Sequence, residues 1–217
     1  MEVQVSVARV CPRCLAHQPG PHAAQHCFRC GFRLHVPAPD IRHLEHVGEQ
    51  LLVALGLDPG QPGLRDTPGR WARWWFDFAT YHDDNMHTAF ETVSADQVVV
   101  VKGMQVWSIC EHHLMPFSCE IAVGYITHEK VLGLSKFARI AHQVAHRLQL
   151  QERLVEQVAD AVQDATSSPD VAVLARGVHL CMVARGIRTE GEMVTSVVRG
   201  VFRESAQARA EFMGLAS

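Results

Sequence analysis

The sequence has no apolar run of membrane-spanning length. Its first ten residues, Met1 to Val10, carry neither a long apolar core nor a cleavage pattern. These absences argue against a spanning or secreted protein and predict a cytoplasmic chain. There is also little excess of one charge: 20% of the residues are charged and the formal net charge is −3. That balance argues against a general nucleic-acid binder or a membrane-surface protein. No internal repeat and no low-complexity tract is found. What is present is ample apolar material, 47% of 217 residues, enough for one large domain with room for a small appendage.

A reducing compartment disfavours disulfides, so the seven cysteines need another use. Four lie near the start, as Cys11-Pro-Arg-Cys14 and Cys27-Phe-Arg-Cys30. Paired C-x-x-C knuckles separated by a short spacer form a zinc-ribbon pattern. Thiolates would fill all four positions, so this site is closed and structural. Residues 1–38 are therefore expected to form a zinc-ribbon-like segment, with Pro37 and Pro39 in the linker that follows. Residues 39–217 form the main domain.

Periodicity predicts a helix over 41–57, where Ile41, Leu44, Val47, Leu51, Leu52 and Leu55 share one face. Thr67-Pro68 reads as a helix start with Thr67 as the capping hydroxyl, followed by the aromatic stripe Trp71, Trp74, Trp75 and Phe78. Strands are expected over 98–102 and 121–126, flanking a Cys-Glu-His-His turn. Ser135 is expected to cap a helix running to about Leu148, and a second helix to run over 151–165. Strands over 171–183 and 195–202 and a closing helix over 206–215 complete the chain. This order predicts an α+β fold with an antiparallel sheet.

The chemistry sits in two distant stretches, Cys110-Glu111-His112-His113 and His179-Leu180-Cys181. Thiolate and imidazole are preferred zinc ligands, and three of them with a fourth position open make a reactive site. His112 and His113 are neighbours, so one is expected to ligate and the other to be free for proton transfer. On a continuous strand, His179 and Cys181 would share a face. Lys136 and Arg139 fall early in the helix after Ser135, where the dipole disfavours cations unless an anion binds. His142 and His146, at i,i+4, read as helix surface or packing, because Gln143 stands where a zincin needs glutamate.

Several motifs in order resemble GTP cyclohydrolase I: Thr67-Pro68, Ser108-Ile109-Cys110-Glu111-His112-His113-Leu114-Met115-Pro116-Phe117, Gly133-Leu134-Ser135-Lys136-Phe137-Ala138-Arg139-Ile140, Gln149-Leu150-Gln151-Glu152-Arg153-Leu154, and His179-Leu180-Cys181-Met182 with Arg185-Gly186. The resemblance runs from about residue 41 to the end. It implies the tunnelling fold, an antiparallel sheet with helices packed on one side, in a ring-shaped homodecamer with active sites between subunits. It further implies zinc-dependent ring opening of GTP, formate release and reclosure to 7,8-dihydroneopterin triphosphate, the first step of folate or pterin biosynthesis.

By the same resemblance, Cys110, His113 and Cys181 hold the catalytic zinc, and His112 and His179 move protons. Glu152, with Gln151 beside it, would take the guanine edge. Ser135, Lys136, Arg139, Arg185 and Arg65, the last donated across the interface, would bind the rest of the nucleotide. Cys119 stands where the family usually has glycine, and reads as a small packed residue or, less simply, a redox-sensitive thiol. Two alternatives remain: a variant that stops at a ring-opened pyrimidine, and a non-catalytic scaffold that binds a protein partner through the zinc ribbon.

Overall fold

The computed structural model describes residues 39–83, 86, 89–91, 96–128 and 130–217. The expected zinc ribbon over 1–38 lies outside the described residues. The elements are α1 (Ile41–Ala54), α2 (Thr67–Thr80), β1 (Ala89–Glu91), β2 (Val98–Cys110), β3 (Pro116–Ile126), β4 (Lys130–Leu132), α3 (Leu134–Ala145), β5 (Leu148–Gln149), α4 (Gln151–Thr166), β6 (Val171–His179), α5 (Leu180–Val183), β7 (Met193–Val198), α6 (Val201–Glu204) and α7 (Ala206–Ala216). They divide into two compact units, with the boundary between His82 and Asp83.

The first unit holds α1 and α2. Asp40 caps α1, its carboxylate accepting from the Arg42 amide at 2.9 Å. The start of α2 differs from the expectation. Asp66 is the N-cap, Thr67 is already helical, and its hydroxyl accepts from Arg70 at 3.3 Å. Pro68 keeps its place in the first turn, where its missing N–H removes no helical bond.

The second unit is built on a sheet with strand order β5-β2-β3-β6-β7, beside a small β1-β4 pair. All neighbours in the large sheet are antiparallel except β2 and β5, which run parallel. Alternation along the strands sorts the two faces. Ser108, Cys119, Tyr125 and Gly177 face α3 and α4. The Ser108 hydroxyl donates to the Ala145 carbonyl at 2.6 Å, and the Tyr125 ring meets Phe137 at 5.7 Å. Ala122, Ala172 and Leu174 point the other way, into a core with Phe202 and Phe212. Helices therefore cover both faces, α3 and α4 on one and α6 and α7 on the other, rather than one side only.

Three further expectations are corrected. The strands flanking the Cys-Glu-His-His turn extend right up to it, as β2 and β3, with a bulge between Val101 and Met104. Gly133, not Ser135, is the N-cap of α3, and the helix ends at Ala145. The last strand stops at Val198, and Phe202 is buried from the helical turn α6. An apolar residue after a strand reads equally as strand or as a turn pinned into the core.

Candidate active site

Cys110 is the last residue of β2 and is buried. Its backbone closes the turn that carries His113. The Cys110 amide donates to the Met115 carbonyl at 2.9 Å, and the Cys110 carbonyl accepts from His113 at 3.3 Å and from Leu114 at 2.9 Å. The turn folds His113 back over the strand end, with Cys110 Sγ 3.6 Å from His113 Nδ1.

Cys181 arrives from the other stretch, but not on a strand as expected. The pairing of β6 with β3 ends at His179, opposite Phe117, one residue from the start of β3 at Pro116. With the ladder exhausted, the chain turns into α5 and swings Cys181 out of the sheet. The ligand atoms of Cys110, His113 and Cys181 then lie within 4.8 Å of one another.

This set fits zinc. Ordinary zinc–sulfur and zinc–nitrogen bonds at tetrahedral angles separate a sulfur from a nitrogen ligand by about 3.6 Å. Burial, and then the Cys110 sulfur, push the Cys181 thiol above its usual range, while Arg185 pulls it down. A cation held between the sulfurs would reverse that balance and favour thiolate ligands.

His179 closes the sheet beside the cluster. Its ring stacks on Phe117, with centroids 4.5 Å apart and planes 5° from parallel. Its Nε2 lies 2.9 Å from Gln151 Oε1. Burial lowers its pKa, and the carboxylate of Glu152 opposes that shift. Glu152 itself is exposed in the first turn of α4. Gln151 is 0% exposed, and the two hydrogens of its amide nitrogen are shared among three acceptors, the carbonyls of Ala175 and Met193 and the Thr195 hydroxyl. The Gln151 side chain is thus enclosed between His179 and strands β6 and β7. His112 is exposed in the turn, its ring 6.1 Å from that of His113.

The expected phosphate ligands are less uniform. Lys136 is half-buried and Ser135 exposed in the first turn of α3, where Ser135 makes no cap. Arg139 pairs with Asp83 at 2.5 Å. Arg185 is exposed just after α5. Arg65 is exposed in the other unit, ahead of α2. His142, on α3, and His146, its C-cap, lie side by side, with the His146 Nδ1 2.7 Å from the His142 carbonyl.

Three supports had no place in the sequence reading as functional residues: Phe117, Gly177 and Arg153. Their signal was adjacency, Phe117 to the turn and Arg153 to Gln151-Glu152. A Cβ on Gly177 would lie 2.1 Å from Gln151 Oε1 and 2.8 Å from Cys119 Sγ. Cys119, its register partner, is 1% exposed, and burial pushes its thiol up to about 12. The packed reading of Cys119 fits this placement, and the redox-sensitive reading does not.

Two sulfurs and an imidazole converging at a sheet end, with further imidazoles alongside, form a set that could hold a metal ion, an arrangement suited to hydrolytic and proton-transfer chemistry. Comparison with known proteins narrows the class. The chain belongs to the GTP cyclohydrolase I family, whose family model matches residues 44–217. GTP cyclohydrolase 1 of Sulfurihydrogenibium sp. is 43% identical over 178 residues, covering 81% of this chain and 95% of that protein. The Deinococcus radiodurans protein of the same name is 42% identical over 184 residues, covering 82% and 85%. That of Drosophila melanogaster is 42% identical over 170 residues, covering 76% and 52%.

Proposed function

We propose that this enzyme converts GTP and one water to formate and 7,8-dihydroneopterin triphosphate, the entry to folate or pterin biosynthesis. The observation that carries the reading is the convergence of Cys110, His113 and Cys181 within 4.8 Å inside a family match over residues 44–217. These three residues would hold a zinc ion. When bound, the zinc supplies Lewis acidity that makes water a usable nucleophile near neutral pH.

The chain's own residues do the rest. The Glu152 carboxylate, exposed at the start of α4, accepts from the ring and exocyclic N–H groups of guanine, a donor pair that adenine lacks. Lys136, Arg139, Arg185 and Arg65 take the triphosphate, with Ser135 at the start of α3 assisting. His112 and His179 give and take protons, first at the imidazole ring of the purine and later during the ribose rearrangement. An imidazole titrates near working pH and suits both directions.

The same reading extends to assembly and to residues 1–38. The chain would adopt the tunnelling fold and form a homodecamer in the cytoplasm, with Arg65 reaching a neighbouring site. Cys11, Cys14, Cys27 and Cys30 would hold a second, structural zinc in a ribbon that stabilises the assembly or docks a protein partner. No helix among the described residues is long and apolar enough to cross a membrane.

The test is the product formed from GTP, identified by mass, with formate measured in parallel. One formate per pterin supports the full reaction. Formate without pterin would show a reaction stopped at the ring-opened pyrimidine and overturn the full cycle. Bound GTP with no formate would favour the scaffold.

A further inference from the structure

We infer that Gln151 is a positioning residue that holds His179 with its hydrogen on Nε2 and leaves Nδ1 as the nitrogen that exchanges protons. The inference rests on the reading of His179 as a proton-transfer group. It starts from the orientation of one amide. An amide oxygen and nitrogen are told apart by their hydrogen-bond partners. Gln151 Nε2 faces the Met193 carbonyl at 2.8 Å, the Ala175 carbonyl at 3.2 Å and the Thr195 hydroxyl at 3.1 Å. Backbone carbonyls only accept. Turning the amide over would set its oxygen against both carbonyls, inside a site with no exposure to water. The oxygen is therefore the atom presented to His179 Nε2, at 2.9 Å.

An amide oxygen cannot donate, so His179 Nε2 must carry a hydrogen and donate it. In the neutral ring the lone pair then belongs to Nδ1. The ring cannot exchange its nitrogens by a flip without losing this bond, and Phe117 holds its plane from one face. Gly177 keeps the arrangement possible. A methyl group there would lie 2.1 Å from Gln151 Oε1, with Cys119 Sγ closing the other side at 2.8 Å. The oxygen would have to leave His179.

The tautomer can be read without turnover. The full-length zinc-loaded protein, with histidines labelled in ¹³C and ¹⁵N, is studied by solid-state NMR at alkaline pH, where a free imidazole is neutral. The His179 signal is identified by its loss in His179→Asn. The expected spectrum shows a protonated Nε2 and a bare Nδ1; a hydrogen on Nδ1 would overturn the proposal. In Gln151→Met the signal should split between tautomers, and kcat should fall about a hundredfold while KM stays within about twofold. Gly177→Ala, whose added methyl would meet Gln151 Oε1 first, should reproduce both changes. Wild-type spectra and kcat in both variants would refute the positioning role. A protonated Nε2 in a protein that releases no formate from GTP would leave the tautomer supported and overturn the proposed function instead.

Discussion

Arg153 on α4 grips Glu111 in the Cys-Glu-His-His turn, with guanidinium Nη2 2.5 Å from carboxylate Oε2. The same guanidinium donates through Nε to Gln149 Oε1 at 2.6 Å and through Nη2 to the Leu148 carbonyl at 3.0 Å. The Glu111 amide in turn donates to the Gln149 carbonyl at 3.2 Å. One arginine thus ties the turn that carries His113 to the helix that begins with Gln151 and Glu152.

Replacing Arg153 with Met keeps the aliphatic stem and removes the fork. Half-buried Glu111 and fully buried Gln149 then lose their shared charged partner, at a cost of about 1–3 kcal/mol. The expected results are a lower melting temperature and faster loss to a chelator of the zinc proposed for Cys110, His113 and Cys181. A variant that melts and holds metal like the wild type would show that the tie is dispensable.

Cys119 should be chemically silent. Its thiol is buried and held up to about 12, so almost no thiolate exists near neutral pH. Iodoacetamide applied to the folded protein should leave Cys119 unmodified by mass spectrometry, and denaturant should expose it. The same shift makes a prediction at alkaline pH. The folded state favours the neutral thiol, so its contribution is complete below the ordinary thiol value of 9.0 and is lost as pH rises toward about 12. Cys119→Ala should flatten that part of the stability profile. Rapid native alkylation would contradict the burial on which both outcomes rest.

Gly200 joins β7 to α6 with φ at +53°, and a Cβ there would lie 2.0 Å from Asp170 Oδ1. Asp170 is itself buried and engaged, Oδ1 accepting from the Val201 amide at 2.7 Å and Oδ2 lying 2.8 Å from His128 Nε2. Gly200→Ala combines a left-handed backbone with a steric clash at a buried carboxylate. It should destabilise the protein by at least about 2 kcal/mol in urea unfolding. An unchanged midpoint would mean that the junction relaxes freely.

Legibility in the sequence differs with the kind of residue. The family resemblance groups Cys110, His113 and Cys181 in one site although the long stretch 114–180 separates Cys181 from the other two. Helix α4 was readable at both ends, because apolar spacing and the Gln151-Glu152 start agree. Periodicity extends the strand through Cys181 because it carries no information on where a ladder runs out of partners, and β3 ends the pairing at His179. Ser135 has the chemistry of a cap, but Gly133 holds that backbone position. Burial of Gln151 was invisible in a sequence where a polar residue opens a helix. It depends on two carbonyls from β6 and β7 that only folding brings together.

The most direct test of the central claim is zinc stoichiometry read alongside turnover in two variants of the full-length protein. Two zinc ions per chain are expected in the wild type. Cys11→Ser/Cys14→Ser should keep one zinc and release formate from GTP at the wild-type rate. Cys110→Ser/Cys181→Ser should also keep one zinc, in the N-terminal segment, and release none. Full zinc content and undiminished formate release in the Cys110/Cys181 variant would contradict a catalytic metal centre built from these two distant stretches.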